Sequence, residues 1–279
     1  MEENTLPIVE EPVEYTLSTG KKHLSYSEFN DYIQCAFRHY LKYIISKDSS
    51  INEHTIFGNA VHSTCEKVVV KESLDYKAFF LENFRTLKKQ LTEQKKDIDY
   101  KLLEEMEANG GDLFPEIMPF LQTEFGNFEV VAVEQDLYER VTEITENVFF
   151  KGFIDLIIKT EDGKYHIIDW KTTKYGWHPN KRNDKFTHYQ MVLYKEFYCR
   201  KMNLPRENFE IHFVLLKWKN KKKTPEIVSV TSGKKKIDNA LKSYTEVVKG
   251  IQNGIKMRNR TNCQYCPYLE SNCNGRKKD

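Results

Sequence analysis

The sequence predicts an α+β fold, in which a sheet built mainly from neighbouring strands is accompanied by helices before and after it. Three observations predict this class. Residues 24–45 have a helical pattern of apolar side chains, residues 128–170 contain three β-rich runs joined by short turns, and residues 186–218 continue with a helix and a strand. With 279 residues, of which 39% are hydrophobic, the chain can bury a large core.

The helical part of the predicted fold lies mostly before the strands. Residues 1–22 carry several glutamates without the basic and apolar regions of a secretory signal, so we predict a flexible N-terminal tail. Helices are expected at 24–45 and 57–71, and the charged residues 74–124 are expected to form a helical insertion. Residues 23–279 are therefore predicted to be a single domain.

The predicted sheet begins near residue 128, where β-branched and aromatic residues become frequent. Strands are expected at 128–137, 148–159 and 164–170, with Glu161-Asp162-Gly163 as a hairpin turn before the third. The elements expected after them are a helix at 186–200, a strand at 211–218 and a helix at 237–251.

The distribution of charge is more informative than the net charge, which is only +2. A single lysine run is typical of a solvated surface, but several runs near one site favour contact with phosphate groups. The runs are Lys217, Lys219, Lys221, Lys222 and Lys223; Lys234, Lys235 and Lys236; and Lys181, Arg182 and Lys185. No apolar run is long enough to span a membrane, so a cytoplasmic protein is expected.

Two carboxylates and a lysine are predicted to converge on neighbouring strands. Asp169 and Lys171 lie two residues apart, so both side chains occupy one face of a strand. Asp155 lies within an apolar run, where a carboxylate is costly unless it is paired or binds a metal. Such a site could hold a divalent metal that activates water and stabilises charge on a phosphate. Ordinary surface acids with a salt-bridged lysine are the alternative interpretation.

Two helical pairs accompany this constellation. His62 and Glu66 lie one turn apart on the helix that follows Gly58, and Gln190 and Tyr194 lie one turn apart just after the strands. Each pair alone is more typical of a core or surface helix than of a functional site. The order of all these motifs along the chain is therefore more informative than any one of them.

Together, the motifs resemble the RecB-like branch of the PD-(D/E)xK nuclease superfamily over residues 24–275, with 74–124 poorly matched. The matching motifs, in order, are Gly58…His62, Glu134, Gly152…Asp155, Asp169-Trp170-Lys171 and Gln190…Tyr194. Ile154 stands where the name of the superfamily has proline, which is common in this branch. The resemblance implies a restriction-endonuclease-like core, in which a central mixed sheet is flanked by helices.

The resemblance also implies roles for individual residues. Lys171 would orient or activate the attacking water or stabilise the phosphate. Gln190 and Tyr194 would position DNA or Lys171, whereas Glu134 is an acid without a defined role. The implied ligands of Mg²⁺ or Mn²⁺ are His62, Asp155, Asp169 and the carbonyl of Trp170.

The cysteines favour a metal site, because disulfides are rare in the cytoplasm. Cys263, Cys266 and Cys273 form a C-x2-C-x6-C cluster, whereas Cys35 lies far upstream in the first predicted helix. Four thiolates can hold zinc or a [4Fe–4S] cluster, and spacing alone does not decide between them. The two remaining cysteines, expected to be buried in helices, are Cys65 and Cys199.

One cysteine before the nuclease motifs and three after them resemble the iron–sulfur group of this branch. That group includes AddB-like helicase-nuclease subunits and CRISPR-associated adaptation nucleases. The resemblance implies a [4Fe–4S] cluster on Cys35, Cys263, Cys266 and Cys273, with structural zinc as the alternative. A cluster there would join the first helix to the C-terminus, so much of the domain's stability would depend on it.

The function expected from the sequence is a metal-dependent DNA exonuclease that acts on DNA with single-stranded ends. The alternatives are a structure-specific endonuclease, a non-catalytic nucleic-acid-binding module of the same fold, and a zinc-bound interaction protein. Intact Asp155, Asp169 and Lys171 argue against a non-catalytic module. The chain has no G-x-x-x-x-G-K-[ST] run, so unwinding would need a helicase or recombination partner. DNA repair, recombination, phage genome processing and CRISPR spacer acquisition are all compatible with this function.

Overall fold

The computed structural model describes residues 16–46, 51–94, 97–145, 147–268 and 273. These residues form a mixed six-stranded sheet with helices on both faces, which confirms the predicted α+β class. Two apolar cores separate the sheet from the helices, one on each face. No helix within these ranges is long and apolar enough to cross a membrane.

The N-terminal segment contains a short strand, β1 (His23–Ser25), and two helices, α1 (Tyr26–Gln34) and α2 (Ala36–Tyr40), the second continued by a π-helical turn at Leu41–Ile45. The sequence predicts one uninterrupted helix here. The structure instead breaks it at Cys35, whose extended backbone, with φ −167° and ψ 110°, separates the two helices. The break turns the Cys35 side chain toward the C-terminal segment, as described below.

The predicted flexible tail ends at residue 22, and residues 16–22 lie within the described part of the chain. Residues 1–15 lie outside the described part of the chain. In the remainder, Leu17 is buried in the core, and the Ser18 hydroxyl donates to the Ile251 carbonyl at 3.0 Å. One buried apolar side chain thus attaches the described part of this segment to the core, and the extent of the flexible tail stays a prediction.

Helix α3 (Glu53–Val69) and the expected helical insertion cover one face of the sheet. The insertion consists of α4 (Tyr76–Gln94), α5 (Tyr100–Gly110), a 3₁₀ helix at Gly111–Glu116 and α6 (Ile117–Phe125). Its core is aromatic: the ring centroid of Phe57 lies 5.9 Å from those of both Phe80 and Phe84. Gly110 permits this packing, because a Cβ atom there would lie 2.8 Å from the Phe57 ring.

Antiparallel and parallel pairs alternate across the sheet. Its remaining described strands are β2 (Phe128–Arg140), β3 (Phe149–Thr160), β4 (Tyr165–Thr173), β5 (Phe209–Lys217) and β6 (Glu226–Val230). Strands β2 and β4 are antiparallel to β3, β5 is parallel to β4, and β6 is antiparallel to β5. The sequence does not predict β1 and β6, which have only 3 and 5 residues and therefore too little alternation to detect.

One edge of β3 is shared by two strands, and this creates an opening in the sheet. Strand β2 pairs along the other edge, whereas β1 pairs parallel with residues 149–151 and β4 pairs with residues 156–159. Residues 152–155 lie between these two ladders, at the point where β3 and β4 separate. The opening contains the first predicted acid, Asp155.

Helices after the strands cover the other face of the sheet, together with α1. They are α7 (Pro179–Arg182), α8 (Lys185–Met202) and α9 (Lys234–Gln252). The Asp184 side chain begins α8 by accepting hydrogen bonds from the N–H groups of Phe186 and Thr187. Helix α8 is buried along most of its length, so its polar residues face the sheet beside the predicted site.

Candidate active site

Asp155 lies in the opening between β3 and β4. Its Oδ2 atom accepts a hydrogen bond of 2.7 Å from the Trp170 backbone N–H. The carboxylate thus takes the place of a backbone carbonyl of β3, because the ladder between β3 and β4 ends at Leu156 and Ile168. Its Oδ1 atom lies 3.4 Å from Nδ1 of His62, which extends from α3. Trp170 therefore contacts Asp155 through its N–H group, whereas its carbonyl, the predicted metal ligand, remains a proposal.

Glu134, for which the resemblance implies no defined role, lies beside His62 and Asp155. One ligand atom from each of the three residues lies within 4.8 Å of the others. Glu134 adopts φ +49°, a left-handed conformation that costs a non-glycine residue about 1 kcal/mol or more. Irregular pairing of β2 with β3, which includes a register shift between Val130 and Ala132, accompanies this conformation. The structure thus brings Glu134 into the acidic site.

Asp169 contacts both Lys171, on the same strand β4, and Gln190, on α8. The Lys171 ammonium lies 2.6 Å from Asp169 Oδ2, and the Gln190 amide donates to Asp169 Oδ1 at 2.7 Å. The Gln190 amide also donates to the Tyr194 hydroxyl at 3.3 Å. The predicted residues of two separate motifs are therefore connected through one buried carboxylate.

Mutual repulsion and burial perturb the acids of this site. Burial, together with the charges of Asp155 and Glu66, raises the pKa of Glu134 to about 7. Burial also raises the pKa of Asp169 to about 6. Burial alone would raise the pKa of Asp155 as well, but the nearby His62 imidazole outweighs it and lowers that pKa below its ordinary value.

The arrangement is suited to a divalent cation. The carboxylates of Glu134 and Asp155 converge with His62, and the charges of Glu66 and Asp169 act on Glu134 as well. A cation bound there would relieve their repulsion, and oxygen donors with one imidazole fit Mg²⁺ or Mn²⁺. The sequence pairs Glu66 only with His62, because its proximity to Glu134 depends on how α3 packs across the sheet.

Gly152 allows α8 to approach β3 closely. A Cβ atom at this position would lie 2.7 Å from Cε1 of Tyr194 and 3.3 Å from Cε1 of Phe150. The Phe150 and Tyr194 rings pack edge to face, with centroids 6.0 Å apart. The glycine of the Gly152…Asp155 motif thus has a structural purpose, which is to place the Tyr194 hydroxyl beside Gln190.

The four clustered cysteines form a second candidate site. One cavity is lined by Cys35, Cys263, Cys266 and Cys273. The Asn259 N–H points at Cys35 Sγ from 3.4 Å, and burial, with the charges of Cys273 and Cys35, raises the pKa of Cys266. Cys273 is described, whereas its neighbours 269–272 and 274–279 lie outside the described residues.

Direct contacts hold the C-terminal segment against the break between α1 and α2. The Phe37 N–H donates to the Met257 carbonyl at 3.1 Å, and the Asn262 amide donates to the Gln34 carbonyl at 3.0 Å. The Arg258 guanidinium lies 4.3 Å from the Phe37 ring centroid. Residues about 220 positions apart are thereby joined around the cavity. Both remaining cysteines are buried elsewhere, as expected: Cys65 and Cys199.

The basic runs contain lysines that form ion pairs within the protein, one lysine near the candidate site, and exposed lysines. Lys219 pairs with Glu105 at 2.6 Å, so it is partly neutralised within the protein. Lys181 lies over the Trp177 ring, which packs against Phe213, and the Lys171 ammonium lies over that same Phe213 ring, so one member of the third run is close to the site. The fully exposed members of the other runs include Lys221, Lys222, Lys234 and Lys235.

The aromatic side chains of α1 contribute to the core, whereas two exposed aromatic side chains lie close in sequence to the candidate site residues of β3 and β4. In α1, Phe29 is fully buried, and the Tyr26 hydroxyl donates to the Phe186 carbonyl at 2.9 Å, so both belong to the core. Phe153, on β3, is 45% exposed, and Tyr175, just after β4, is 66% exposed. An exposed aromatic two residues before Asp155 in a strand is the signal that could have identified Phe153.

The sheet and its acid–lysine site define a nuclease fold. The chain belongs to the PD-(D/E)XK nuclease superfamily, whose pattern matches residues 23–273, and it is thereby a phosphodiester hydrolase by class. No curated protein matches the sequence.

One solved structure agrees with this assignment at the level of the fold. The "Putative exonuclease" of Eubacterium rectale is 16% identical, covers 99% of this chain and 96% of its own, and has a TM-score of 0.52. The protein SSO0001 is 12% identical over 92% of this chain and 88% of its own, with a TM-score of 0.44. Only the first supports the fold, and at this identity it supports nothing beyond the fold.

Proposed function

We propose that this protein is a metal-dependent DNA nuclease, and specifically an exonuclease that acts on DNA with single-stranded ends. The observation that carries the proposal is the convergence of Asp155, Asp169 and Lys171 at the opening between β3 and β4. Membership of the superfamily supports phosphodiester hydrolysis. Any unwinding of duplex DNA would require a helicase or recombination partner, in DNA repair, recombination or genome processing.

The proposed metal is Mg²⁺ or Mn²⁺, bound by His62, Asp155, Asp169 and the Trp170 carbonyl, with Glu134 as a further ligand. The donor set fits, because burial, together with the charges of neighbouring carboxylates, raises the pKa values of Glu134 and Asp169, and a bound cation would favour their charged forms. When bound, the ion would supply an activated water and would compensate charge on the phosphate.

Lys171 is proposed to stabilise the attacked phosphate or to orient the water. Its ammonium lies 2.6 Å from Asp169, so the carboxylate proposed to bind metal also directs the lysine. Gln190 holds the other Asp169 oxygen, and Tyr194 contacts Gln190. We therefore propose that Gln190 and Tyr194 position Asp169 and Lys171, in addition to any contact with DNA.

Support for a single-stranded substrate comes from the surface around the site. The exposed rings of Phe153 and Tyr175 could stack on unpaired bases. Lys181 lies close to Lys171, where it could contact the DNA backbone. The word exonuclease in the name of the Eubacterium rectale protein is compatible with this proposal.

The test compares a circular single-stranded DNA with the same DNA linearised and labelled at one end or the other. Anaerobically purified protein should release mononucleotides from one labelled end in Mg²⁺ or Mn²⁺ and should leave the circle intact. Rapid cutting of the circle would instead support the endonuclease alternative. Binding without cleavage of either DNA in both metals would support the non-catalytic alternative.

We also propose that Cys35, Cys263, Cys266 and Cys273 bind a [4Fe–4S] cluster, with structural zinc as the alternative. Their shared cavity and the Asn259 N–H directed at Cys35 Sγ support a four-thiolate site, because hydrogen bonds to sulfur commonly accompany such clusters. The proposed role is structural: the cluster would hold the C-terminal segment against α1 and α2.

The cluster predicts a coloured protein. Absorbance near about 400 nm is expected for an iron–sulfur centre on cysteine thiolates. Cys35→Ala should abolish the absorbance and lower the thermal midpoint of unfolding. The matched change Cys199→Ala should retain the colour, because Cys199 lies in α8 and does not line the cavity of the four cysteines. Colourless wild-type protein with an equivalent of zinc that Cys35→Ala loses would decide for the zinc alternative.

A further inference from the structure

A second group of metal-binding side chains lies on the face of the sheet opposite Asp169. It consists of His166 on β4 and of Glu210 and His212 on β5. In the parallel ladder, His166 pairs with Glu210, and His212 lies two residues further along the same face. His166 precedes Asp169 by three residues, which places the group about 10 Å along β4 and on the other side of the sheet.

The ligand atoms of this group already converge. His166 Nδ1 lies 3.1 Å from His212 Nε2 and 3.8 Å from Glu210 Oε2, and the three ligand atoms lie within 4.8 Å of one another. Two imidazole nitrogens on a tetrahedral zinc ion are about 3.3 Å apart, given Zn–N bonds of about 2.0 Å. A metal would therefore need only a small separation of the two rings.

Hydroxyl groups orient both rings from behind. His166 Nε2 lies 3.2 Å from the Thr160 hydroxyl, and His212 Nδ1 lies 3.0 Å from the Ser229 hydroxyl. Such bonds from the outer ring nitrogen to an oxygen are typical of histidines that bind metals, since they fix the ring and its tautomer. They are a feature of the site independent of the convergence of its ligand atoms.

The hydrogen bonds of Thr160 determine the tautomer of His166. The Thr160 hydroxyl has one proton, which it directs to Asp162 Oδ1 at 2.5 Å or to the Lys164 carbonyl at 3.2 Å. It must therefore accept a hydrogen bond from His166 Nε2. His166 Nδ1 is consequently unprotonated and accepts a hydrogen bond from His212 Nε2 at 3.1 Å, so a metal that binds both nitrogens would displace the His212 Nε2 proton to Nδ1 or to solvent.

Burial keeps the pair in the neutral form that binds metals. The Phe125 ring covers both imidazoles, with centroid distances of 4.8 Å to His166 and 5.4 Å to His212. Burial lowers the pKa of His166 and, together with the charge of His166, lowers the pKa of His212 to about 4. Burial thus favours the uncharged form of both rings.

We propose that His166, Glu210 and His212 bind one transition-metal ion of the Zn²⁺ type, at a site separate from the nuclease centre. Two imidazoles and one carboxylate favour zinc, cobalt or nickel over Mg²⁺. The ion would join β4, β5 and, through Phe125, the end of α6. Lys164 competes for the site, since its ammonium lies 2.6 Å from Glu210 Oε1.

The test is a zinc titration of the full chain in excess Mg²⁺, against a chromophoric chelator, with bound zinc counted per chain. Wild-type protein should bind one more equivalent than His212→Gln or Glu210→Gln. Glu210 is half exposed, so its variant keeps the fold even if the buried His212 variant does not. His54→Gln is the matched control, because His54 is an exposed histidine outside the group.

A variant with the opposite effect makes the test sharper. Lys164→Gln removes a surface ion pair from Glu210, so zinc should bind about two- to fivefold more tightly. Ser229→Ala should weaken binding roughly tenfold by releasing the His212 ring. Equal stoichiometry and equal affinity in wild-type, Glu210→Gln and His212→Gln proteins would overturn the proposal.

Discussion

Replacement of Gly152 by alanine tests whether close approach of α8 to β3 builds the site. The new Cβ atom would lie 2.7 Å from Tyr194 Cε1. Carbon atoms pack best at about 3.5–4.0 Å, so the Tyr194 ring must move by about 1 Å. Overpacking of this kind costs about 1–3 kcal/mol of stability. A displacement of this size near a reacting centre can lower the rate of cleavage by about a hundredfold.

Chemical denaturation and DNA cleavage measure these two effects separately. Gly58→Ala is the matched control for stability, because it is the same change in α3 with no atom within 4 Å of the added Cβ, and it should be neutral or slightly stabilising. Tyr194→Leu removes the ring carbon that Gly152→Ala would strike. The double variant should therefore be less destabilised than the sum of the single changes.

The reasoning would be refuted by a Gly152→Ala protein as stable and as active as the wild type. Strict additivity with Tyr194→Leu would refute it too, because it would mean that the two positions do not clash. A Gly152→Ala protein with wild-type stability but a lower rate of DNA cleavage would still support the role of close packing in the site. It would show that the Tyr194 side chain moves locally, away from Gln190.

Two further predictions concern the stability of the fold. Gly110→Ala should destabilise the helical insertion by about 1–3 kcal/mol in denaturant titrations, because the added Cβ would lie 2.8 Å from the buried Phe57 ring; an unchanged midpoint would contradict this packing. Burial of Glu196 opposes its ionisation, but Arg206 and Arg200 outweigh burial and lower its pKa from 4.5. Its stabilising effect is therefore present above pH 4.5 and lost as the pH falls below it. Because the two arginine partners are partly exposed, Glu196→Gln should cost about 1–3 kcal/mol at neutral pH and flatten the acid limb of a stability–pH profile.

The central elements of the sheet could be predicted because each has a strong local signal. Strands β3 and β4 are rich in Ile and contain a clear turn between them, and their predicted bounds agree with the structure to within a few residues. The opening between them could not be predicted, since it depends on β1, a strand of 3 residues that pairs with β3 from far away in the sequence.

Site residues that are close together in the sequence could be predicted from their spacing. Site residues that come together only through tertiary packing could not. Asp169 and Lys171 share a strand face, which spacing alone indicates. The position of the Glu134 side chain depends on the left-handed backbone conformation of Glu134 itself, within an irregular strand. No local sequence pattern specifies that conformation. The group around His166 was missed for the same reason, because parallel pairing of β4 with β5 joins residues 46 positions apart.

The central claim is that Asp169 belongs to the centre that hydrolyses DNA. The most direct measurement is the single-turnover rate of cleavage of end-labelled single-stranded DNA by anaerobic wild-type and Asp169→Ala proteins in Mg²⁺, with folding checked by circular dichroism. Lys174→Ala, a change of an exposed residue close in sequence to Asp169, is the control and should retain the wild-type rate. The account predicts a loss of roughly a thousandfold or more for Asp169→Ala. Cleavage at the wild-type rate by a folded Asp169→Ala protein would contradict it.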